Sequence, residues 1–288
     1  MKVSYTNSKN VDKRKGGPDH NDRHIKPSSA KHIDTTRSHL NIYMCLYKDM
    51  TFKEAERKFY RENFSKFRKE HNRKVKKGRH SERRMTLDSM LKNPRTCPEE
   101  TIIQIGNVNV QPDPDDPDTR KALDEIMRDM IRYSNKITNG HCRVLDAAVH
   151  FDESTPHIHI RKVWVYNEDG MNKVGAEKAL EHVGYPLPDP ATGDKPTRFN
   201  NRKKLYDNMM RERLYTLCRE RGLEIDTVPD RSNDIHMSKE NYVLGQIQKD
   251  YMVHMIKEKR KKTVKVPYRE LTKGKDREDG HAEPVTHD

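Results

Sequence analysis

The segment His150-Phe151-Asp152-Glu153-Ser154-Thr155-Pro156-His157-Ile158-His159 constrains this chain more than any other. Strand-like residues flank it, Arg143 to Phe151 before the turn and His157 to Tyr166 after it, so it reads as an antiparallel hairpin. Side chains two apart on a strand share a face, which sends His157 and His159 the same way. His150 stands on the opposing strand near the turn, where cross-strand neighbours lie ~4.5–5.5 Å apart at Cβ. Three imidazoles therefore converge on one side of a sheet. That is a metal site with open coordination positions, which catalysis needs and a structural site does not. Imidazole ligands suit Zn, Mn, Fe, Co or Ni without choosing among them. Asp152 and Glu153, in the turn, are placed to orient a ligand imidazole or to move a proton.

The rest of the chain supplies a sheet for this hairpin. Lys2 to Thr6, His39 to Leu46 and Thr101 to Val110 read as three further strands. Phe52, Ala55, Phe59, Phe64 and Phe67 recur at helical spacing, and the aromatic stripe is a packing face. The basic run His71 to Arg84 follows as a frayed continuation. A second amphipathic helix covers Thr119 to Ile137. Asn7 to Thr36 and Gln111 to Asp118 are expected loops. Five strands interleaved with two helices predict an α+β fold, one antiparallel sheet with helices on one face. Beyond Gly170 the character changes to helices at Val174 to Val183, Asn201 to Arg221 and Asn241 to Ile256. The expected organisation is a catalytic domain at 1–170 with a basic helical insert at 51–92, a helical extension at 171–256, and a charged, disordered tail at 257–288.

Charge narrows the partner. The 288 residues carry a net charge of +13 and are only 32% hydrophobic. Thr51 to Arg84 holds fourteen Lys and Arg against five Asp and Glu, a surplus of nine that suits a polyanion. No run approaches the ~18 apolar residues of a membrane helix. Met1 to Asn10 is polar, so no signal peptide is expected. Cys45, Cys97, Cys142 and Cys218 form no Cys-x-x-Cys pair, which predicts reduced thiols in a cytoplasm.

The histidine segment resembles the third motif of the Pre/Mob plasmid mobilisation and recombination enzymes, the MobV-type relaxases. His20-Asn21-Asp22-Arg23 resembles their first motif, and Ile33-Asp34 followed by Arg37-Ser38-His39-Leu40-Asn41 resembles the approach to their second. The three occur in the family's order, over roughly Met1 to Tyr166. The resemblance implies an HUH-type relaxase core, a five-stranded antiparallel sheet flanked by helices. It also implies nicking of one DNA strand at an origin of transfer or recombination site through a covalent protein–DNA intermediate. One departure stands out: where the family continues Asn-Tyr-Asp/Glu-Leu, this chain reads Asn41-Ile42-Tyr43-Met44. A one-residue shift in a strand reverses the face of a side chain.

What the resemblance implies for single residues follows. His150, His157 and His159 hold one divalent metal ion, Mn2+ or Mg2+. His20 is the nucleophile, with Tyr43 as its rival. Glu153 orients His20 or takes its proton, and Arg23 grips a phosphate as a fork donor. Arg37 and Asn41 are expected to touch DNA, as are Lys66, Arg68, Lys69, Lys74 and Lys77 along its backbone. The partner is single-stranded or supercoiled plasmid DNA. Three other readings compete: a rolling-circle replication initiator of the same fold class, for which Tyr185 and Tyr206 follow the metal motif, a non-catalytic DNA-binding protein, and an unrelated metal hydrolase.

Overall fold

The computed structural model describes residues 1–9, 17–24, 33–78, 81–107, 110–189, 191 and 195–226. The helix expected at 241–256 and the tail at 257–288 lie outside the described residues. So do parts of the Asn7 to Thr36 loop.

Chain order is β1 (Val3–Ser8), α1 (Pro18–Asn21), β2 (Ile42–Cys45), α2 (Phe52–Lys77), α3 (Leu87–Lys92), β3 (Glu99–Ile105), α4 (Pro117–Ile137), β4 (Cys142–His150), β5 (His157–Glu168), β6 (Met171–Val174), α5 (Ala176–Val183) and α6 (Arg202–Glu220). The chain has an α+β fold. Its sheet runs β1-β3-β5-β4-β2, every pair antiparallel, and β6 adds a short sixth strand beside the far end of β5. The five expected strands are all present. β6 and α3 were not anticipated, because four and six residues carry too little periodicity to announce themselves.

The helices lie on both faces of the sheet, which corrects the one-face arrangement. Successive residues of β5 show why. Val163 packs against Phe59, Tyr60 and Phe64 of α2 and Met90 of α3. Trp164 points the other way and meets Tyr206 of α6, ring centroids 4.8 Å apart. Two layers of helix therefore bury alternate residues of one strand. The one-face expectation left out α6, whose Tyr206 packs on Trp164 of the sheet and which lies against α4. Each buried aromatic of α2 contributes roughly 1.5–3 kcal/mol by leaving water, and Phe64→Ala would cost about 3–5 kcal/mol.

Helix α2 starts at a capping box: Thr51 Oγ1 accepts from the Glu54 amide at 3.2 Å, and Glu54 Oε2 accepts from the Thr51 amide at 3.0 Å. Asp22 Oδ2 also accepts from the Phe52 amide at 2.9 Å, fastening the loop after α1 to this helix end. The expected fraying after His71 does not occur before Lys77. His71 Nε2 and Asn72 Nδ2 donate to the carbonyls of Arg83 and Met85, so the returning chain braces the last turns. Among the described residues no helix is long and apolar enough to cross a membrane.

Candidate metal centre and reactive cluster

The β4–β5 hairpin pairs His150 directly with His157, and His159 with Ala148, so all three histidines occupy one face. Ring centroids are 4.7 Å apart for His150–His159 and for His157–His159, and 5.3 Å for His150–His157. His20, at the end of α1, closes over them, 5.6 Å from His150 and 5.8 Å from His159.

Each hairpin imidazole has one nitrogen tied down. His150 Nε2 donates to the Asn21 carbonyl at 2.9 Å, and His157 Nδ1 to the Thr155 carbonyl at 2.8 Å. His159 Nδ1 donates to Glu100 Oε1 at 2.8 Å. A nitrogen that donates to a carbonyl or carboxylate leaves its ring partner as the lone-pair atom. Those remaining atoms, Nδ1 of His150 and Nε2 of His157 and His159, face the shared space. His150 Nδ1 and His159 Nε2 are buried and have no hydrogen-bond partner. A buried orphan acceptor costs about 1–3 kcal/mol unless something occupies it. Two trios of donors lie within 4.8 Å of one another, His20 with His150 and His159, and His150 with Glu153 and His157. These two trios fit a divalent cation in donor chemistry as well as spacing, whereas His150, His157 and His159, the expected ligand set, do not close to that span as a trio.

Electrostatics keep the cluster ready for one. Burial, then the charge of His159, pushes the His157 imidazole down to about 4, and burial drives His150 far below its ordinary value. Both imidazoles are thus neutral and ligand-competent near neutral pH. Glu100 behaves oppositely. Burial alone would raise its carboxyl, but hydrogen bonds from His159 and from Asn21 Nδ2 at 2.7 Å, with the nearby Arg161, hold it at about 2. A charged carboxylate behind a ligand imidazole fixes its tautomer and raises its basicity.

Sequence reasoning missed Glu100. The strand was expected to start at Thr101, whereas β3 begins at Glu99, and Glu100 pairs with Arg161 two residues from His159. It is Glu100, and not Asp152, that accepts a hydrogen bond from a hairpin imidazole. Asp152 accepts from Arg23 Nε at 3.0 Å, Ser38 Oγ at 2.6 Å and Asn41 Nδ2 at 2.7 Å. Burial opposes its charge, but these donors keep the carboxyl below its ordinary value.

Arg23 adopts a left-handed backbone, φ 62°, which aims its guanidinium back across the turn. It pairs with both oxygens of Asp152 and donates to Glu153 Oε1 at 2.9 Å. His20 Nε2 lies 3.4 Å from both Glu153 Oε1 and Arg23 Nη1. Burial works against the Glu153 carboxylate, yet His20, His157 and Arg23 hold it well below the usual range. His20, Arg23, Glu153 and the three hairpin histidines are thus brought together.

The residues expected at DNA are more dispersed. Asn41 spends its amide on the turn: Oδ1 accepts from the Phe151 amide at 2.7 Å while Nδ2 holds Asp152. Arg37 lies 3.3 Å from Asp115 at the rim. Lys66 Nζ donates to the Gly170 carbonyl at 3.0 Å, and Lys74 lies 3.8 Å from Glu70. Lys69, Lys74 and Lys77 are exposed on α2, and Arg68 is half-buried. Tyr43 pairs with Ala148 and so stands on the histidine face, 41% exposed. Tyr185 and Tyr206 are both buried in the core.

No family model matches the chain, and no curated protein does. Among solved structures it is similar to the MobM relaxase domain (MOBV; Mob_Pre) bound to plasmid pMV158 oriT DNA of 22 nucleotides, in a Mn-bound crystal structure at pH 4.6. The two are 18% identical with a TM-score of 0.45, over 84% of this chain and 99% of that one. A second Mn-bound structure of that complex, at pH 5.5, is 19% identical with a TM-score of 0.45, over 84% of this chain and 98% of that one.

Proposed function

We propose that this chain is a relaxase of the plasmid mobilisation and recombination type, an HUH-fold enzyme that nicks and rejoins one DNA strand. The observation that carries the reading is the set of orphaned imidazole nitrogens facing one point, with His20, Glu153 and Arg23 at its edge. A single divalent ion, Mn2+ or Mg2+, held by His150, His157 and His159 would supply Lewis-acid polarisation of a phosphodiester.

The chain's own groups account for the remainder. His20 sits in the last turn of α1, over the cluster, and presents Nε2 towards Glu153 and Arg23. Attack by a neutral ring nitrogen forms a phosphorus–nitrogen bond and breaks the bond to the 3′-oxygen, which leaves as a hydroxyl once protonated. The product is a phosphoramidate that a 3′-hydroxyl reverses, rejoining a strand. Glu153 holds the His20 ring, and Arg23, whose N–H groups are taken up by Asp152, Glu153 and His20, contributes its positive charge beside the phosphate. Asn41 and Ser38 act one step back, by fixing Asp152. The lysines of α2 track the DNA backbone, where they add affinity but do not read sequence.

The buried positions of Tyr185 and Tyr206 disfavour an initiator-type tyrosine. Tyr43 is a half-exposed tyrosine on the histidine face, so it is the residue to test against His20. Incubation with DNA from the protein's own plasmid should give a covalent adduct that is lost in His20→Ala and kept in Tyr43→Phe. The adduct should be acid-labile and base-stable. An acid-stable adduct that survives His20→Ala and vanishes in Tyr43→Phe would overturn the assignment.

A further inference from the structure

Beside the reactive cluster lies an open cavity of about 390 Å³, lined by Asp22, His24, Tyr43, Cys45, Asp49, Met50, Thr51 and Phe52. Tyr43 and Cys45 form its floor, since they lie two apart on β2 and share a face. The first turn of α2 and the loop before it form one wall, and Asp22 and His24 the other. Asp22 adjoins Arg23 in sequence, so the cavity opens next to the guanidinium that contacts Glu153 and His20.

Its chemistry differs from the rest of the surface. In a chain with a net charge of +13, the described residues of this lining include no lysine and no arginine. A phosphate entering it would meet the carboxylates of Asp22 and Asp49. The floor presents the ring of Tyr43, set edge-on to the buried Phe52 at 6.2 Å between centroids. Cys45 adds a thiol that burial keeps protonated. An aromatic face with neutral polarizable sulfur suits a flat uncharged ring. The two acids are not equivalent. Asp22 caps α2 through the Phe52 amide, whereas Asp49 stands exposed at the mouth. A carboxylate accepts hydrogen bonds and offers none, so it favours a ring that carries an amino group.

We propose that this cavity receives one unpaired nucleobase bearing an exocyclic amine from the strand segment beside the phosphate held at the histidine cluster. This rests on the strand-transfer reading above. Tyr43 stacks on the base and Asp49 accepts from its amino group, as acidic side chains do from cytosine N4. Thymine offers a carbonyl oxygen at the equivalent place and is repelled. The cavity therefore contributes a base preference that the lysines of α2 do not.

The test uses the full chain in chelator, so that no strand is cut, and short homopolymers of deoxycytidine and thymidine followed by fluorescence anisotropy. Wild type should bind the cytidine oligomer about tenfold more tightly than the thymidine oligomer. Asp49→Asn, which tolerates the left-handed backbone at φ 58°, should bring that ratio close to one. Tyr43→Leu should weaken both oligomers about tenfold, and Tyr43→Phe should weaken neither. Equal binding of the two oligomers by wild type, or a ratio unmoved in Asp49→Asn, would overturn the pocket. A preference of this kind in a protein that forms no covalent adduct would leave the pocket standing and sink the strand-transfer reading alone.

Discussion

Strand β5 carries two buried polar clusters on its opposite faces, and they are built on opposite principles. On one face His157 and His159 join His150, with ring nitrogens turned inward and two of them left without a hydrogen-bond partner. On the other, Lys162 donates to Thr101 Oγ1 at 2.5 Å and lies 3.3 Å from Glu99, which Lys203 also approaches at 3.0 Å. Asp207 then pairs with Lys203 at 2.6 Å. There each buried charge has an opposite charge beside it within the chain, even at Glu99 Oε1, which makes ion pairs but no hydrogen bond, as a cluster serving the fold requires. The histidine cluster is incomplete in itself. Burial of a polar group is thus no sign of function; burial of one whose remaining valence points at a shared gap is.

This contrast separates chemistry from stability, and variants on the two faces should do the same. His157→Ala should abolish the covalent adduct while moving unfolding free energy by under about 1 kcal/mol, because its hydrogen bond goes to the nearby Thr155 carbonyl and its other contacts are with Glu153 and the neighbouring histidines. A His157→Ala protein that still forms the adduct at the wild-type rate would break the comparison. Lys162→Met should behave inversely. It strands Glu99 against Lys203 alone and should cost about 3–5 kcal/mol in denaturant unfolding, with adduct formation kept in the folded fraction. Unchanged stability would show that the charges of that face are dispensable.

Glu100 bridges the two designs, being a paired charge that serves the unpaired cluster. Glu100→Gln should weaken divalent-metal binding about 10–100-fold by titration calorimetry. It should also change the acid limb of metal-free stability. The carboxyl sits at about 2 when folded against an ordinary 4.5, so its stabilisation is complete above roughly pH 4.5 and lost as pH falls towards 2. Glu100→Gln should flatten that limb, and an unaltered limb would remove Glu100 from this role. The smallest effect belongs to α2. Lys69, Lys74 and Lys77 changed together to Gln should lower the slope of log affinity against log salt by about 0.7 to 0.9 for each phosphate they neutralise. An unchanged slope would mean that those lysines face solvent.

How far the sequence carries depends on the distance over which a feature is decided. His150, His157 and His159 sit within ten residues, and the alternation of two short strands is enough to place them on one face. The stripe from Phe52 to Phe67 is equally local, and α2 follows it. Glu100 is decided by a pairing of β3 with β5 some sixty residues away, and no pattern around Glu100 announces that register. Tyr43 is similar. Its shift against the family pattern suggested a reversed face, yet its pairing with Ala148 places it beside the histidines. Asp152 and Glu153 looked interchangeable as turn acids. The loop holding Arg23 divides them, taking Asp152 as its anchor and leaving Glu153 to face His20.

The central claim is that the orphaned nitrogens of the hairpin form a divalent-metal site. Titration of the chelator-treated full chain with Mn2+, read by calorimetry, tests it without DNA and without activity. One saturable site is expected, which His150→Ala and His159→Ala remove and Lys162→Met retains. Absence of saturable binding in the wild-type chain, or a site left intact by both histidine variants, would contradict it.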